Sequence, residues 1–390
     1  MIALKSGRIL TVSNGIIDEG TLLFDNGKIV DVGKNISLPP ETEVIDVSGK
    51  VVMPGLVEAH THIGLMEDCA GGMGNLGGFN PVVPSLRVID SIHANAEEKG
   101  LTAACHTGIT TVQIVPGSGN VIGGLGAVLK TAPKKTVDEM VLLDPSGLKS
   151  GCGENPVNQY GKGQKRMPRS RMGIWALLRE WYVKTENYMK KKELAEGDPS
   201  KMLEVNLDLE SIQLVLEGKI PLIQHAHRAD DIISSVRVAE EFGTSVVWHH
   251  ATEGHRIADW IASKGIPCCW GGAPSLTDRL KYEMKELDFR TPGILHKAGV
   301  KLSIITDSLS GLGSPMLPVS AALCVQSGLP WEAALRAVTL DAADIVGVAD
   351  RVGSLENGKD ADIRVLDGDP FDPMSEVEMV IIDGEILVGG

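Results

Sequence analysis

The two ends of the chain share one pattern, in which short apolar or alternating runs are separated by Asn-Gly and Asp-Gly turn signals. Such runs are typical of strands joined by tight turns. They cover residues 8–12, 21–24 and 28–32 near the start, and 362–366, 379–382 and 385–388 near the end. Because the same pattern flanks a different middle, we expect residues 1–53 and 348–390 to meet in one small β-sandwich domain.

The middle of the chain, residues 54–347, alternates short apolar runs with helical stretches. Strands are predicted at 56–62, 110–115, 220–224, 245–248, 266–270 and 301–306, and helices at 174–195, 229–242, 253–264 and 318–327. Repeated βα units over about 290 residues favour a closed barrel of eight parallel strands over an open sheet. The predicted fold class is therefore α/β, a (β/α)₈ TIM-like barrel with a β-sandwich domain formed by both termini.

Two histidines close the first predicted strand of this barrel. Side chains on a strand alternate between faces, so His60 and His62 project to the same side. Two imidazoles on one side of a strand end suit two nitrogen ligands of one metal ion. The alternative is a pair of core or loop histidines, and the context of the other strand ends favours the metal interpretation.

Polar residues also follow three further predicted strands. His225 and His227 repeat the His-x-His spacing, His249 and His250 end the next strand, and Asp307 follows the last one. In a parallel βα barrel the carboxyl ends of the strands meet on one face, where active sites form. We expect His250 at the site and rank His249 lower, because neighbouring strand residues face opposite ways.

With these residues, the chain resembles the amidohydrolase superfamily of metal-dependent hydrolases, and within it imidazolonepropionase and related enzymes. The resemblance runs nearly end to end and is carried by PGLVEAHTH at 54–62, QHAH at 224–227, Asp307 and VGSLENGKDAD at 352–362. It implies a barrel with a terminal β-sandwich, a small-molecule substrate and a homodimer. It also implies one or two divalent ions, with zinc preferred and iron or manganese as alternatives.

The resemblance implies roles for individual residues. His60, His62, His225 and Asp307 match metal ligands, and His250 matches either a ligand of a second metal or a group that polarises the substrate. Lys149 or Glu154 is a candidate bridge between two ions, although a solvated loop lysine is an equal interpretation of Lys149. The predicted substrate-binding residues are His227, Arg228, Gly119 and Asn120. Arg228 is included because its guanidinium suits a carboxylate. Gly119 and Asn120 are included because residues 117–124 are predicted to form a mobile glycine-rich loop.

The implied reaction begins with a water acidified by the metal ion. Zinc can lower the pKa of bound water from about 15.7 to about 7. Asp307 then takes the proton, hydroxide attacks an sp² carbon, His250 or the metal stabilises the oxyanion, and Asp307 protonates the leaving nitrogen. The predicted activity is hydrolysis of a C–N bond in a cyclic amide or amide. Deamination of an aminated heterocycle, dipeptidase or carboxypeptidase action at a two-metal site, and a non-catalytic scaffold are the alternatives.

Composition limits the classes of binding partner and the cellular location that we expect. Lys and Arg number 37 against 51 Asp and Glu, for a formal charge of −14, so nucleic-acid binding is not expected. No apolar run reaches 18 residues, and neither a membrane span nor a signal peptide is predicted. The six cysteines form no CxxC pair, which favours free thiols and a cytoplasmic location.

Overall fold

The computed structural model describes residues 1–65, 78, 80–94, 99–195, 198, 200, 203–271, 281–309 and 313–389. Its strands are β1 (Ile2–Leu10), β2 (Ile16–Asp25), β3 (Lys28–Gly33), β4 (Glu43–Asp46), β5 (Val51–Pro54), β6 (Leu56–Thr61), β7 (Ile109–Ile114), β8 (Ile122–Lys130), β9 (Val141–Gly151), β10 (Leu222–Ala226), β11 (Val246–His250), β12 (Cys268–Gly271), β13 (Leu302–Ile305), β14 (Ile363–Leu366), β15 (Val377–Ile382) and β16 (Glu385–Val388). Its α-helices are α1 (Lys99–His106), α2 (Glu154–Pro156), α3 (Arg171–Ala195), α4 (Leu207–Leu216), α5 (Ala229–Phe242), α6 (Ala258–Lys264), α7 (Thr291–Lys297), α8 (Leu317–Gln326), α9 (Trp331–Ala337) and α10 (Leu340–Ile345).

Strands from both ends of the chain form one sheet. Its order is β16-β15-β14-β5-β1-β2-β3, and β4 pairs with β1. Apolar side chains such as Leu4, Leu22 and Ile363 pack into a core of their own on this sheet. The described strands thus bring the termini together, while the sandwich arrangement and the domain limits at 53/54 and 347/348 stay predictions.

The second sheet is the TIM-like barrel. Strands β6 to β13 are neighbours in chain order, and β13 returns to β6, where the His62 amide donates to the Ser308 carbonyl at 2.8 Å. Pairing is parallel from β9 to β13 and between β6 and β7. The prediction of eight parallel strands is wrong at β8, which pairs antiparallel with both β7 and β9.

The antiparallel pairing of β7 and β8 follows from the short connection between them. Parallel strands need a crossover of about a dozen residues or more, whereas antiparallel neighbours need only a short link. β7 ends at Ile114 and β8 begins at Ile122, which leaves no room for a crossover helix. The glycine-rich loop predicted at residues 117–124 therefore ends inside β8, and all eight of these residues are buried.

The helix that follows β10 shows why the sequence pattern was informative. α5 runs from Ala229 to Phe242, as predicted, and buries Ile232, Val236 and Ala239 at helical spacing. It ends at Gly243, whose φ of +67° is the left-handed conformation that glycine adopts without strain. The carboxyl end of β10 is thereby fixed next to the start of this helix.

The described cysteines are all buried and free: Cys105, Cys152, Cys268, Cys269 and Cys324. Cys69 lies outside the described residues. Among the described helices, none is long and apolar enough to cross a bilayer.

Candidate metal centre

The first cluster of metal-ligating side chains joins β6 to the residue that follows β13. His60 Nε2 and His62 Nε2 lie 3.4 Å apart, and each lies 3.2 Å from Asp307 Oδ1. Alternation along β6 points both imidazoles inward, as the His-x-His spacing predicted. Three potential ligand atoms therefore converge at one point.

The second cluster joins β10 to β11. His225, His227 and His250 offer ligand nitrogens that all lie within 4.8 Å of one another. Ring centroids are 4.4 Å apart for His225 and His250, and 4.7 Å apart for His227 and His250. The sequence assigned His227 to the substrate, whereas the geometry places its ring in this group of three.

The two clusters are neighbours at the carboxyl ends of the barrel strands. The ring of His60 lies 5.2 Å from that of His250, so the clusters form one constellation. All five of these imidazoles are buried, and the Asp307 side chain is 24% exposed. Asp307 is therefore the most exposed ligand group of the constellation.

Hydrogen bonds at the outer nitrogens hold three rings in place. His62 Nδ1 lies 2.7 Å from the Val115 carbonyl, His227 Nδ1 lies 2.7 Å from Thr252 Oγ1, and His250 Nδ1 lies 3.2 Å from the Gly271 carbonyl. Such contacts fix the tautomer of a metal-binding histidine and leave its other nitrogen free. In the described part of the chain, His250 Nε2 is buried without a hydrogen-bond partner.

Two of these residues have a left-handed backbone. The φ angles are +82° at His250 and +54° at Asp307, and such values are uncommon for residues other than glycine. Backbone strain of this kind concentrates at functional sites, where the surrounding structure maintains it.

The left-handed turn explains how the neighbouring residues His249 and His250 both reach the site. Strand alternation alone would point His249 and His250 to opposite faces, which is why the sequence ranked His249 lower. The structure buries His249 against His60, with Nδ1 atoms in contact and ring centroids 4.5 Å apart. Because the backbone turns at His250, both histidines reach the constellation.

Of the two bridging candidates, the structure brings Lys149 into the constellation. Lys149 lies near the end of β9, is fully buried, and its Nζ has no hydrogen-bond partner among the described residues. Burial lowers the pKa of Lys149 to about 7. Glu154 is half-buried in α2, where its backbone amide donates to Glu283.

Burial also sets the charge of the ligand groups. It lowers the pKa values of His60, His225, His227 and His249 well below the usual range, and that of His250 to about 4. Burial opposes ionisation of Asp307, yet nearby His250 and hydrogen bonds from His60 and His62 hold the pKa of that carboxyl well below its usual range. Neutral imidazoles and an ionised carboxylate are the protonation states that bind a metal.

One buried acid in this region was missed from the sequence. Glu58 accepts hydrogen bonds from the Thr306 amide at 3.1 Å and the Thr306 hydroxyl at 2.6 Å. Burial raises the pKa of Glu58 to about 8. The contact ties β6 to the residue before Asp307, and the available signal was a glutamate inside an apolar run two positions before His60.

The predicted substrate-binding residues occupy two places. Arg228 is partly exposed and donates to Asp230 from Nε and Nη2, both at 2.9 Å. Gly119 and Asn120 are buried, and the Asn120 amide donates to Tyr160 at 2.7 Å. Their role with a substrate stays a prediction.

The donor set fits a divalent metal. Imidazole nitrogens with a carboxylate are ligands that zinc, iron and manganese accept. The unpartnered Nε2 of His250 and Nζ of Lys149 show that the constellation is incomplete with protein atoms alone. A barrel that carries such ligands at its strand ends is typical of metal-dependent hydrolases.

Comparison with known proteins agrees with this class. The amidohydrolase family model matches residues 225–387. The crystal structure of an amidohydrolase from Thermotoga maritima superimposes with a TM-score of 0.94 at 39% identity, over 100% of both chains. The chain therefore belongs to the amidohydrolase family, and it is a hydrolase of carbon–nitrogen bonds.

Curated relatives are more distant. Imidazolonepropionase of Geobacillus kaustophilus is 25% identical over 96% of this chain and 91% of its own length. Amidohydrolase tasK of Hapsidospora irregularis is 26% identical over 94% of this chain, which spans only 39% of that relative.

Proposed function

We propose that the chain hydrolyses the C–N bond of a cyclic amide or amide in a small substrate that bears a carboxylate. The observation that carries this proposal is the pair of neighbouring clusters, His60–His62–Asp307 and His225–His227–His250. When bound there, a divalent ion supplies Lewis acidity that lowers the pKa of water and polarises a carbonyl. Similarity to imidazolonepropionase supports the choice of a cyclic amide.

Asp307 is the proposed proton carrier. Its low pKa keeps it ionised at neutral pH, and its side chain is partly exposed. It takes the proton of the attacking water and returns it to the leaving nitrogen. His250 is neutral, and its free Nε2 is placed to hold either an ion or the oxygen of the substrate.

We further propose zinc as the metal, with iron or manganese as alternatives, because imidazole suits all three. Two neighbouring clusters, each with three potential ligands, favour two ions over one. Lys149 is the preferred bridge over Glu154, because a pKa near 7 leaves part of the amine uncharged at neutral pH, the form that can take up CO₂ as a carbamate.

Arg228, His227, Gly119 and Asn120 are the proposed substrate-binding residues. Arg228 supports a carboxylate because its guanidinium already holds the Asp230 carboxylate through two nitrogens, and a substrate carboxylate can replace that partner. The proposal also includes two domains, a β-sandwich formed by residues 1–53 with 348–390 and a barrel formed by residues 54–347. It further includes a homodimer and a cytoplasmic location.

A second candidate is cleavage of an N-acylated amino acid, as by a dipeptidase or carboxypeptidase. The two clusters and the buried Lys149 favour it, since a bridged pair of ions would both activate water and polarise the carbonyl of an amide.

Metal-loaded enzyme incubated with a lactam-type acid, an N-acyl amino acid and an aminated heterocycle separates these activities. We expect a new carboxylate without free ammonia from the cyclic amide. Release of ammonia from the heterocycle alone would show a deaminase instead. Turnover of none of the three by metal-loaded protein would contradict the proposal.

A further inference from the structure

A buried arginine lies outside the metal centre. Arg364 is on β14, on the face opposite Ile363 and Val365, which belong to the core of the terminal sheet. It is only 4% exposed, and its Nε and Nη1 atoms make no hydrogen bond to any described residue. A buried cation without a partner is costly to the fold.

Arg364 is one of the residues that line a small cavity of about 220 Å³. The described lining includes Thr107 after α1, Pro318 and Val319 of α8, and Phe371, Asp372 and Ser375 between β14 and β15. Asp372 and Pro373 are exposed, so the cavity opens to solvent. Its size suits a small ion rather than a large organic ligand.

The backbone makes room for this side chain. At Gly108, with φ of +78°, a Cβ atom would lie 2.5 Å from Arg364 Cδ. A glycine at this turn therefore allows the arginine stem to pass into the cavity.

The described lining of the cavity carries two charges, and of these the guanidinium of Arg364 is the one with unpartnered nitrogens. Apart from Arg364, Asp372 is the charged residue in the described lining, and its Oδ1 accepts the Met374 amide at 2.9 Å within its own turn. Burial lowers the pKa of Arg364 to about 10, so it stays a cation at neutral pH. The Ser375 hydroxyl lines the same cavity and is a further donor.

We propose that this cavity is a binding site for a small oxyanion, of the carboxylate or phosphate class, held by the guanidinium of Arg364. Arginine presents its donors as a planar fork that matches two oxygens of such an ion. The site is separate from the metal centre, because Arg364 pairs with Met53 before the start of β6, whereas the histidines lie at the other end of the barrel strands. A bound ion would connect β14 with the turn after α1 and with α8.

Isothermal titration of metal-loaded protein with sodium sulfate and with sodium acetate tests this site, with chloride holding the ionic strength constant. We expect Arg364→Met to lose one ion per chain, or about tenfold or more in affinity, and Arg364→Lys to bind more weakly than wild type because it lacks the fork. Sulfate alone would identify a tetrahedral ion, and acetate alone a carboxylate.

The matched control is Arg290→Met, which removes an exposed arginine paired with Asp288 and should bind as wild type does. Any ion at the histidine constellation is common to all variants, so it does not affect the difference. Equal binding by wild type and folded Arg364→Met would overturn the proposal. If neither Arg364 variant folds, Val319→Trp decides, since it fills the cavity and keeps the guanidinium: loss of binding supports the site, and unchanged binding overturns it.

Discussion

Two buried lysines at opposite ends of the barrel differ in their partners. Lys130, at the end of β8, is 3% exposed and forms ion pairs with Asp360 at 2.7 Å, Asp362 at 2.9 Å and Asp383. Lys149, near the end of β9, is fully buried and its amine has no hydrogen-bond partner in the described structure. The pKa of Lys130 is raised although burial opposes it, whereas burial lowers the pKa of Lys149 to about 7.

This difference separates a structural role from a functional one. The Lys130 carboxylates come from the terminal strands and their turns, so the pairs join the terminal sheet to the barrel. The unpartnered Lys149 contributes nothing comparable to folding, and strongly shifted groups in a cleft are typical of functional sites.

The largest expected effect is on catalysis. Asp307→Asn should lower kcat by about 10²–10⁴-fold, the usual contribution of a general base, or by more if the metal is also lost. Asp383→Asn is the matched change beside Lys130 and should leave kcat near wild type. Steady-state kinetics and metal analysis of both variants check this, and near-normal turnover by metal-loaded Asp307→Asn would refute the role of that carboxylate.

The next effect is on stability. Lys130→Met should reduce the free energy of unfolding by about 3–5 kcal/mol, because it leaves buried carboxylates without their cation. Urea denaturation of the metal-free protein measures this change.

Lys149→Met is the matched substitution at the other lysine. In metal-free protein it should not reduce the free energy of unfolding, because it removes a buried amine that lacks a partner. It should reduce the amount of bound metal. A loss of stability equal to that of Lys130→Met would remove the distinction between the two lysines.

Acid should destabilise the histidine constellation before the Lys130 network. The buried histidines His60, His225, His227, His249 and His250 have pKa values below the usual 6.5. Their contribution is therefore present above pH 6.5 and is lost as pH falls towards 4, by about 1.4 kcal/mol per pH unit for each proton. Four buried carboxyl groups act in the opposite direction, because burial raises the pKa of Glu58 to about 8, that of Glu283 to about 7, that of Asp362 to about 6, and also that of Asp231. They offset part of the loss from the five histidines.

Thermal unfolding of metal-free protein between pH 6.5 and 4 measures this loss. His250→Asn, which removes one of the five protons, should have a shallower slope. Equal slopes in wild type and His250→Asn would show that this imidazole does not take up a proton on unfolding, against its burial in the structure.

The smallest expected effect is on substrate binding by Arg228. Arg228→Met should raise KM for a carboxylate substrate about tenfold, the value of one charge-assisted hydrogen bond, with little change in kcat. Asp230→Asn, which frees Arg228 from its present partner, should lower KM. An unchanged KM in Arg228→Met would exclude this arginine as the carboxylate-binding residue.

The sequence predicted the parts of the site that depend on local periodicity. His60, His62 and His225 follow from strand alternation and strand ends, and the TIM-like barrel follows from the repeated βα units. That both His249 and His250 face the constellation could not be predicted, because the positive φ of His250 interrupts that alternation.

Other features depend on long-range contacts. The position of Lys149 depends on the antiparallel pairing of β8 with β7 and β9. The apolar, glycine-rich sequence of β8 did not reveal this pairing. The partners of Lys130 lie at least 230 residues away along the chain, so only the folded structure brings them together.

The ratio of metal to protein, by elemental analysis of protein purified without chelator, tests the central claim most directly. The two clusters predict a value close to two ions per chain, lowered in Lys149→Met and unchanged in Asp383→Asn. A value close to one would limit binding to one cluster. Essentially no metal, even after zinc, iron or manganese is added back, would contradict the account.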